Sequence, residues 1–311
     1  MTTEKLPVVV GIDATSGADA ALDWALAEAR SRAVPVRLVH ALGRELAYGA
    51  LQVYGEMPPP DVTSAHDAAA SLLTRTANRA RVLAPDVAVT THVGDDGPIR
   101  TLLEESTRAS TIVLGTRHLG TLGSVALGSV GTAVSARASC PVVVLRGPAG
   151  LVEERAGVVV GVDAQEPSDP ILAYAFDFAH RRSLPLHAVL CWRPDVLAEM
   201  LWRPEQPAPE WADLWLSEAL AGWRPNHPDV EVHASVVRER PVAGLLAASA
   251  AQQLLVVGTR GRHAVAGALL GSVSQGVLTG ATCPVAVVPL LAGATVRRRS
   301  GSRVSPVAGR R

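Results

Sequence analysis

Two stretches of this 311-residue chain nearly superpose on each other. Residues 113–145 read VLGTRHLGTLGSVALGSVGTAVSARASCPVVVL, and residues 256–288 read VVGTRGRHAVAGALLGSVSQGVLTGATCPVAVV. The echo reaches the start of each half, where PVVVGIDATSGADAALDWALAEARSRAVPVRLVHA (7–41) is matched by GVVVGVDAQEPSDPILAYAFDFAHRRSLPLHAVLC (157–191). The offset is 150 residues in the early pair and 143 in the late one, so only the stretch between them changed length. A solenoid repeats every 20–50 residues or so, whereas an offset this long describes tandem domains. We expect one domain over residues 1–146, a second over 156–290, and a basic tail over 291–311.

Within each half the hydrophobic period switches in a regular order. PVVVGID is a short, almost wholly apolar, β-branched run, the pattern of a parallel strand covered on both faces. Ala18, Ala21, Leu22, Ala25, Leu26 and Ala29 then recur at helical spacing opposite Asp19, Asp23 and Arg30. VRLVHA, AVTTHV, STIVLG and CPVVVL read as further strands, separated by a helix over 65–83, a helix opened by Pro98, and a glycine-rich loop leading into a helix. Alternation of this kind gives an α/β class with a parallel sheet, right-handed crossovers and helices on both faces. Ligands of such sheets sit beyond the carboxyl ends of the strands, where these motifs fall.

Composition narrows the partners. The formal net charge is zero, but Arg297, Arg298, Arg299, Arg303, Arg310 and Arg311 lie in a stretch without acids, leaving the body acidic and poorly suited to nucleic acid. Three cysteines without framework spacing fit a reducing compartment. No secretory leader or run of membrane-spanning length is visible, so the expected location is the cytoplasm. Nine histidines lack metal-ligand spacing, and no metal site is expected.

The loop itself carries chemistry. In the second half Gly258 ends a strand, Gly261 follows three residues on, and Gly271-Ser272 opens a helix. Glycines let a ligand approach the backbone, and the unpaired N–H groups of the helix start form an anion site to which Ser272 and Ser274 can add hydroxyls. Phosphate is the natural occupant. Neither Gly-Lys-Ser/Thr nor G-x-G-x-x-G is present, which argues against a P-loop NTPase or a dinucleotide dehydrogenase.

The pattern G-x2-G-x9-G-[S/T], with a VVVG(V/I)D first strand before it and CPV after it, resembles the ATP-binding branch of the universal stress protein family over residues 7–146 and 156–289. The resemblance implies two five-stranded sandwiches of strand order 3-2-1-4-5, paired through their fifth strands within one chain. It also implies a stress-response or signalling protein that holds ATP, with or without Mg2+. The acid after the first strand, on the adenine or ribose side, corresponds to Asp13 and Asp163, and the backbone that reads adenine to Ala41 and Cys191. Ribose and phosphate positions correspond to Gly115, Gly128, Ser129 and Val130 in the first half, and to Val257, Gly258, Gly261, Gly271, Ser272 and Val273 in the second.

One departure stands out: His118 replaces the middle glycine of the first loop. Its Cβ and ring crowd the ribose and phosphates or else add a donor to them; on steric grounds the second half is expected to bind more tightly. Asp13 and Asp163 also suit a plain helix-capping role beside ligand contact. Arg117 and Arg260 suit phosphate or solvent equally. Cys140 and Cys283 read as packing residues, His40 as a satisfied core histidine, and Trp192, Trp202, Trp211, Trp215 and Trp223 as core or a lid. The tail reads as a disordered, solubilising end. Three functions compete: a nucleotide-biased signalling protein with an as yet unknown protein partner, a slow ATP-consuming enzyme, and a scaffold with a degenerate first site. No constellation of base, nucleophile and metal carboxylates surrounds the loop to favour the enzyme. The apolar edges Val142–Leu145 and Val285–Val288 are expected to pair antiparallel within the chain, burying what each would otherwise expose; further self-association, as a homodimer, would use other surfaces.

Overall fold

The computed structural model describes residues 5–43, 62–118, 125–126, 128–145, 157–164, 168–192, 210–259 and 270–290, with the backbone alone for Val62, Arg117, His118, Val125 and Ala126. Each apolar β-branched run is a strand and each amphipathic stretch a helix. The first half runs β1 (Val8–Gly11), α1 (Ser16–Arg32), β2 (Val36–Ala41), α2 (Val62–Leu83), β3 (Val89–Gly94), α3 (Pro98–Ser106) and β4 (Thr111–Gly115). It continues with the two-residue strands β5 (Arg117–His118) and β6 (Val125–Ala126), then α4 (Ser129–Arg137) and β7 (Val142–Leu145). The second half runs β8 (Val158–Val162), α5 (Asp169–Arg182), β9 (Leu186–Cys191), α6 (Glu210–Ala221), a 3-10 turn (Arg224–Asn226), β10 (Val232–Val237), α7 (Pro241–Ser249), β11 (Leu254–Gly258), α8 (Ser272–Gly280) and β12 (Val285–Val288).

Ten of these strands form one sheet, ordered β10-β9-β8-β11-β12-β7-β4-β1-β2-β3. Each half therefore shows the order 3-2-1-4-5, and every pairing is parallel except the central one. There β7 and β12 run antiparallel, with Val144 opposite Val285, Val143 opposite Ala286 and Val142 opposite Val287. The fifth strands thus meet as the sequence leads one to expect. β5 and β6 form a small antiparallel ribbon of their own, which the glycine-rich composition of that loop does not announce.

Alternation along β1 sends Val8 and Val10 to the layer of α1, α2, α5 and α6, and Val9 to the layer of α3, α4, α7 and α8. Both apolar layers continue across the central pairing, so the two halves share their cores. On the first layer α1 and α5 meet: Trp24 stacks on Phe178 with centroids 6.1 Å apart. Arg32 lies over Tyr174 at 5.6 Å and Arg182 over Trp24 at 5.9 Å, a reciprocal pair at the 150-residue offset. Between them the fully buried Glu28 takes ion pairs from Arg32, Arg181 and Arg182. Cys140 and Cys283 are buried in the other layer, as packing residues should be, and burial pushes the Cys140 thiol up to about 12.

Candidate functional site

At the carboxyl ends of β1, β2 and β4 the first half forms a half-open cavity of about 240 Å³. Its walls bring together Gly11, Asp13, Ala41, Gly115, Gly128, Ser129 and Val130. All but Gly11 are the first-half residues singled out in the sequence, which also named His118, whose side chain lies outside the described part. The walls also include His40, Thr116, Pro98, Leu102 and Gly131, which the sequence reading had not assigned to a ligand.

Two helices point their N-termini at this space. α3 starts on Pro98, which has no N–H to leave unpaired. α4 starts after Gly128, which supplies no side-chain cap, and its first intrahelical bond runs from Thr132 N–H to Gly128 carbonyl at 3.1 Å. The N–H groups of Ser129, Val130 and Gly131 therefore stand ahead of the ladder, beside the cavity, with the positive end of the helix dipole behind them. Gly128 has an ordinary φ of −64°, and among the described residues a Cβ built on it would meet nothing within 4 Å. Neither backbone strain nor packing asks for glycine here; the open space is what the missing side chain preserves.

Gly115 is different. A Cβ there would lie 2.0 Å from the Gly17 carbonyl oxygen, and one on Gly17 would lie 2.3 Å from that of Thr116. The two glycines let the first turn of α1 lie directly on the end of β4, so Gly115 shapes the cavity by admitting a helix. Thr116 is fixed by its N–H and its hydroxyl, both donating to the Leu145 carbonyl at 3.0 Å.

Asp13 accepts from the Thr15 N–H at 3.1 Å and from the Thr15 hydroxyl. The local turn into α1 is thus built by the acid, and the same residue lines the cavity, so the structural role and the position for ligand contact coexist. His40, read from sequence as a core residue, is half-buried on the cavity wall and donates from Nδ1 to the Ile12 carbonyl at 2.7 Å.

In the second half Gly258 ends β11 and Gly271 precedes α8, as expected. Gly261 and Arg260 lie outside the described residues, as do Trp202 and the tail. A Cβ on Gly258 would meet the tip of Leu290 at 3.0 Å rather than backbone. Val257 is buried in β11, so its side chain is core; Val273 is partly buried against the same layer. Ser272 opens α8, but Ser274 is buried and its hydroxyl reaches the Gly271 carbonyl at 2.9 Å, which corrects the expectation that it serves a ligand. Asp163 follows β8 as Asp13 follows β1. The Cys191 thiol packs against α7, 3.8 Å from the Pro241 carbonyl, and burial pushes it up to about 11. Trp215 and Trp223 pack against the core, whereas Trp211 is half exposed. Among the described residues no group of three or more His, Cys, Asp or Glu could hold a metal ion, and no helix is long and apolar enough to cross a membrane.

A sheet that is parallel within each half and built twice in tandem, with a cavity at the strand ends of the first half, defines an α/β protein of the doubly wound class. The family model described as the universal stress protein family matches residues 6–146 and again 156–289, so the chain belongs to that family. Among curated relatives, a universal stress protein of Mycobacterium tuberculosis strain H37Rv is 34% identical over 287 residues, covering 90% of this chain and 96% of that one. One of Mycolicibacterium smegmatis is 34% identical over 290 residues, with 90% and 96% covered. Among solved structures, a universal stress protein from Archaeoglobus fulgidus DSM 4304 shares the fold with a TM-score of 0.68 at 19% identity, covering 91% of this chain and 98% of that one.

Proposed function

We propose that this tandem universal stress protein binds ATP, and that nucleotide occupancy biases its conformation or its choice of protein partner. The observation that carries the reading is the cavity between β1, β2 and the N-terminus of α4. It joins backbone of β2 for a base, Asp13 for a ribose or base edge, and the bare N–H groups after Gly128 for phosphates. At about 240 Å³ the half-open cavity suits the nucleoside, with the phosphates running along the helix start. Mg2+ would arrive with the phosphates rather than on a protein cluster of its own. The functional units are proposed as residues 1–146 and 156–290, each carrying one such site, with 291–311 apart from both.

Mass spectrometry of the ligand released from freshly purified, denatured protein tests the reading, together with calorimetry against ATP and GTP. Adenine nucleotide in the released fraction and tighter binding of ATP are the expected results. No heat with ATP at millimolar concentration would sink it.

A further inference from the structure

Along β2 the backbone groups alternate sides. The Val36 N–H bonds the Ala88 carbonyl at 2.8 Å and the Leu42 N–H bonds the Gly94 carbonyl at 3.0 Å, both toward β3 and its approach. The Val39 carbonyl accepts from the Ile12 N–H at 2.8 Å, toward β1. Ala41 has the parity of Val39, so its N–H and carbonyl face the β1 side, where the ladder partner of its N–H is the Ile12 carbonyl. That carbonyl is held instead by His40 Nδ1 at 2.7 Å, and the β1–β2 register stops at Gly11 opposite Val39. Among the described residues the Ala41 N–H has no partner, and Ala41 lines the cavity.

The second half does the opposite. Leu190, buried in the core, stands where His40 stands in the first. There the register runs one pair further, to Val162 opposite Leu190, and a parallel pair in that register joins the Cys191 N–H to the Val162 carbonyl.

We propose that His40 is a positioning residue: by occupying the Ile12 carbonyl it withholds the Ala41 backbone from the sheet and makes the first half the base-reading site. The inference rests on the adenine-nucleotide reading above. An N–H beside a carbonyl on one strand matches the N1 acceptor and N6 amino donor of adenine. Hypoxanthine, with a donor at N1 and an acceptor at O6, is mismatched at both. In the second half the equivalent N–H is spent within the ladder, so that half holds a purine base more weakly. This is the reverse of the order expected from His118 alone.

Two measurements test it, the first without ligand. Amide hydrogen exchange on the free full-length protein is expected to show Ala41 exchanging at least about tenfold faster than Cys191. His40→Leu is expected to slow Ala41 toward Cys191, and His40→Asn, whose amide can replace Nδ1, to keep it fast. Equal protection of the two amides in the unaltered protein, or an Ala41 rate indifferent to His40→Leu, would overturn the proposal. The second is calorimetry with ATP and ITP: an approximately tenfold preference for ATP is expected, erased in His40→Leu and restored in His40→Asn. If ATP and ITP bind equally while the exchange pattern holds, the base-reading role is overturned. If ATP does not bind at all, it is the nucleotide reading that fails, and the exchange result still judges the His40 hydrogen bond.

Discussion

The carboxylate of Glu28 accepts a hydrogen bond from Arg181 at 2.8 Å, joining residues 153 positions apart across the meeting of α1 and α5. Arg182 closes on its other oxygen at 3.0 Å, and Arg32 binds it from its own helix. An acid without solvent contact is held by three guanidiniums, two of them from the other half.

Replacing Glu28 by Gln strips the counter-charge from Arg182 and leaves Arg32 and Arg181 with only the half-exposed Asp177, and a loss of up to roughly 3–5 kcal/mol is expected in denaturant unfolding. Burial pushes the Glu28 carboxyl up, but Arg32 and Arg181 outweigh it and hold it down at about 2, against an ordinary 4.5. The folded-state value is thus depressed. Its contribution is complete above the unfolded value and is lost as pH falls from 4.5 toward 2, and the acid sensitivity in that window should disappear in Glu28→Gln.

A charge in the central strand pair should separate or destabilise the halves. Val143 is fully buried opposite Ala286. Val143→Lys is expected to lower the melting temperature and enlarge the particle in small-angle scattering, or drive aggregation through the bared edge. Unchanged size and stability would mean that the strands do not meet in solution.

Equivalent glycines should respond unequally. Gly115→Ala places a methyl 2.0 Å from the Gly17 carbonyl, a backbone clash that must displace α1, and a loss of about 1–3 kcal/mol is expected. In Gly258→Ala the nearest described atoms are the side-chain carbons of Leu290 at 3.0 Å, which can shift, and a cost below about 1 kcal/mol is expected by thermal unfolding.

Gly128→Asp should divorce stability from binding. The position has an ordinary φ and empty space around its Cβ direction, and an aspartate there caps α4, a gain of a few tenths of a kcal/mol. The same carboxylate occupies the helix N–H groups and repels phosphate. ATP affinity is expected to fall at least about tenfold in calorimetry while the melting temperature holds or rises.

The fold was legible because its central strands are short apolar runs and its helices keep their period, and the doubled pattern supplied the partner for each fifth-strand edge. The β5–β6 ribbon was not, since two-residue strands at Arg117–His118 and Val125–Ala126 leave no periodicity to read. Glu28 left a trace: it lies three residues after Ala25 and seven after Ala21, on the apolar stripe of α1, where an acid demands partners. Arg32 lies four residues on along the same helix, but the other two partners sit on α5, in a different half, so only the folded contact reveals them. At the cavity, Gly115 and Gly128 look alike in sequence yet serve different ends, one admitting a helix and the other leaving room beside α4. His40 was read as core because its strand is apolar; its bond to Ile12 depends on where β1 stops, a property of the strand pair rather than of either segment.

The single antiparallel pairing at the centre of the sheet sets a direction. Strands of the first half end their course at one rim of the molecule, and those of the second half end at the opposite rim. The strand-end cavity of the first half and the matching strand ends of the second therefore look away from each other, like the faces of a double-headed coin. A partner docked over one has no view of the other, and any message between them must cross the body of the protein rather than its surface.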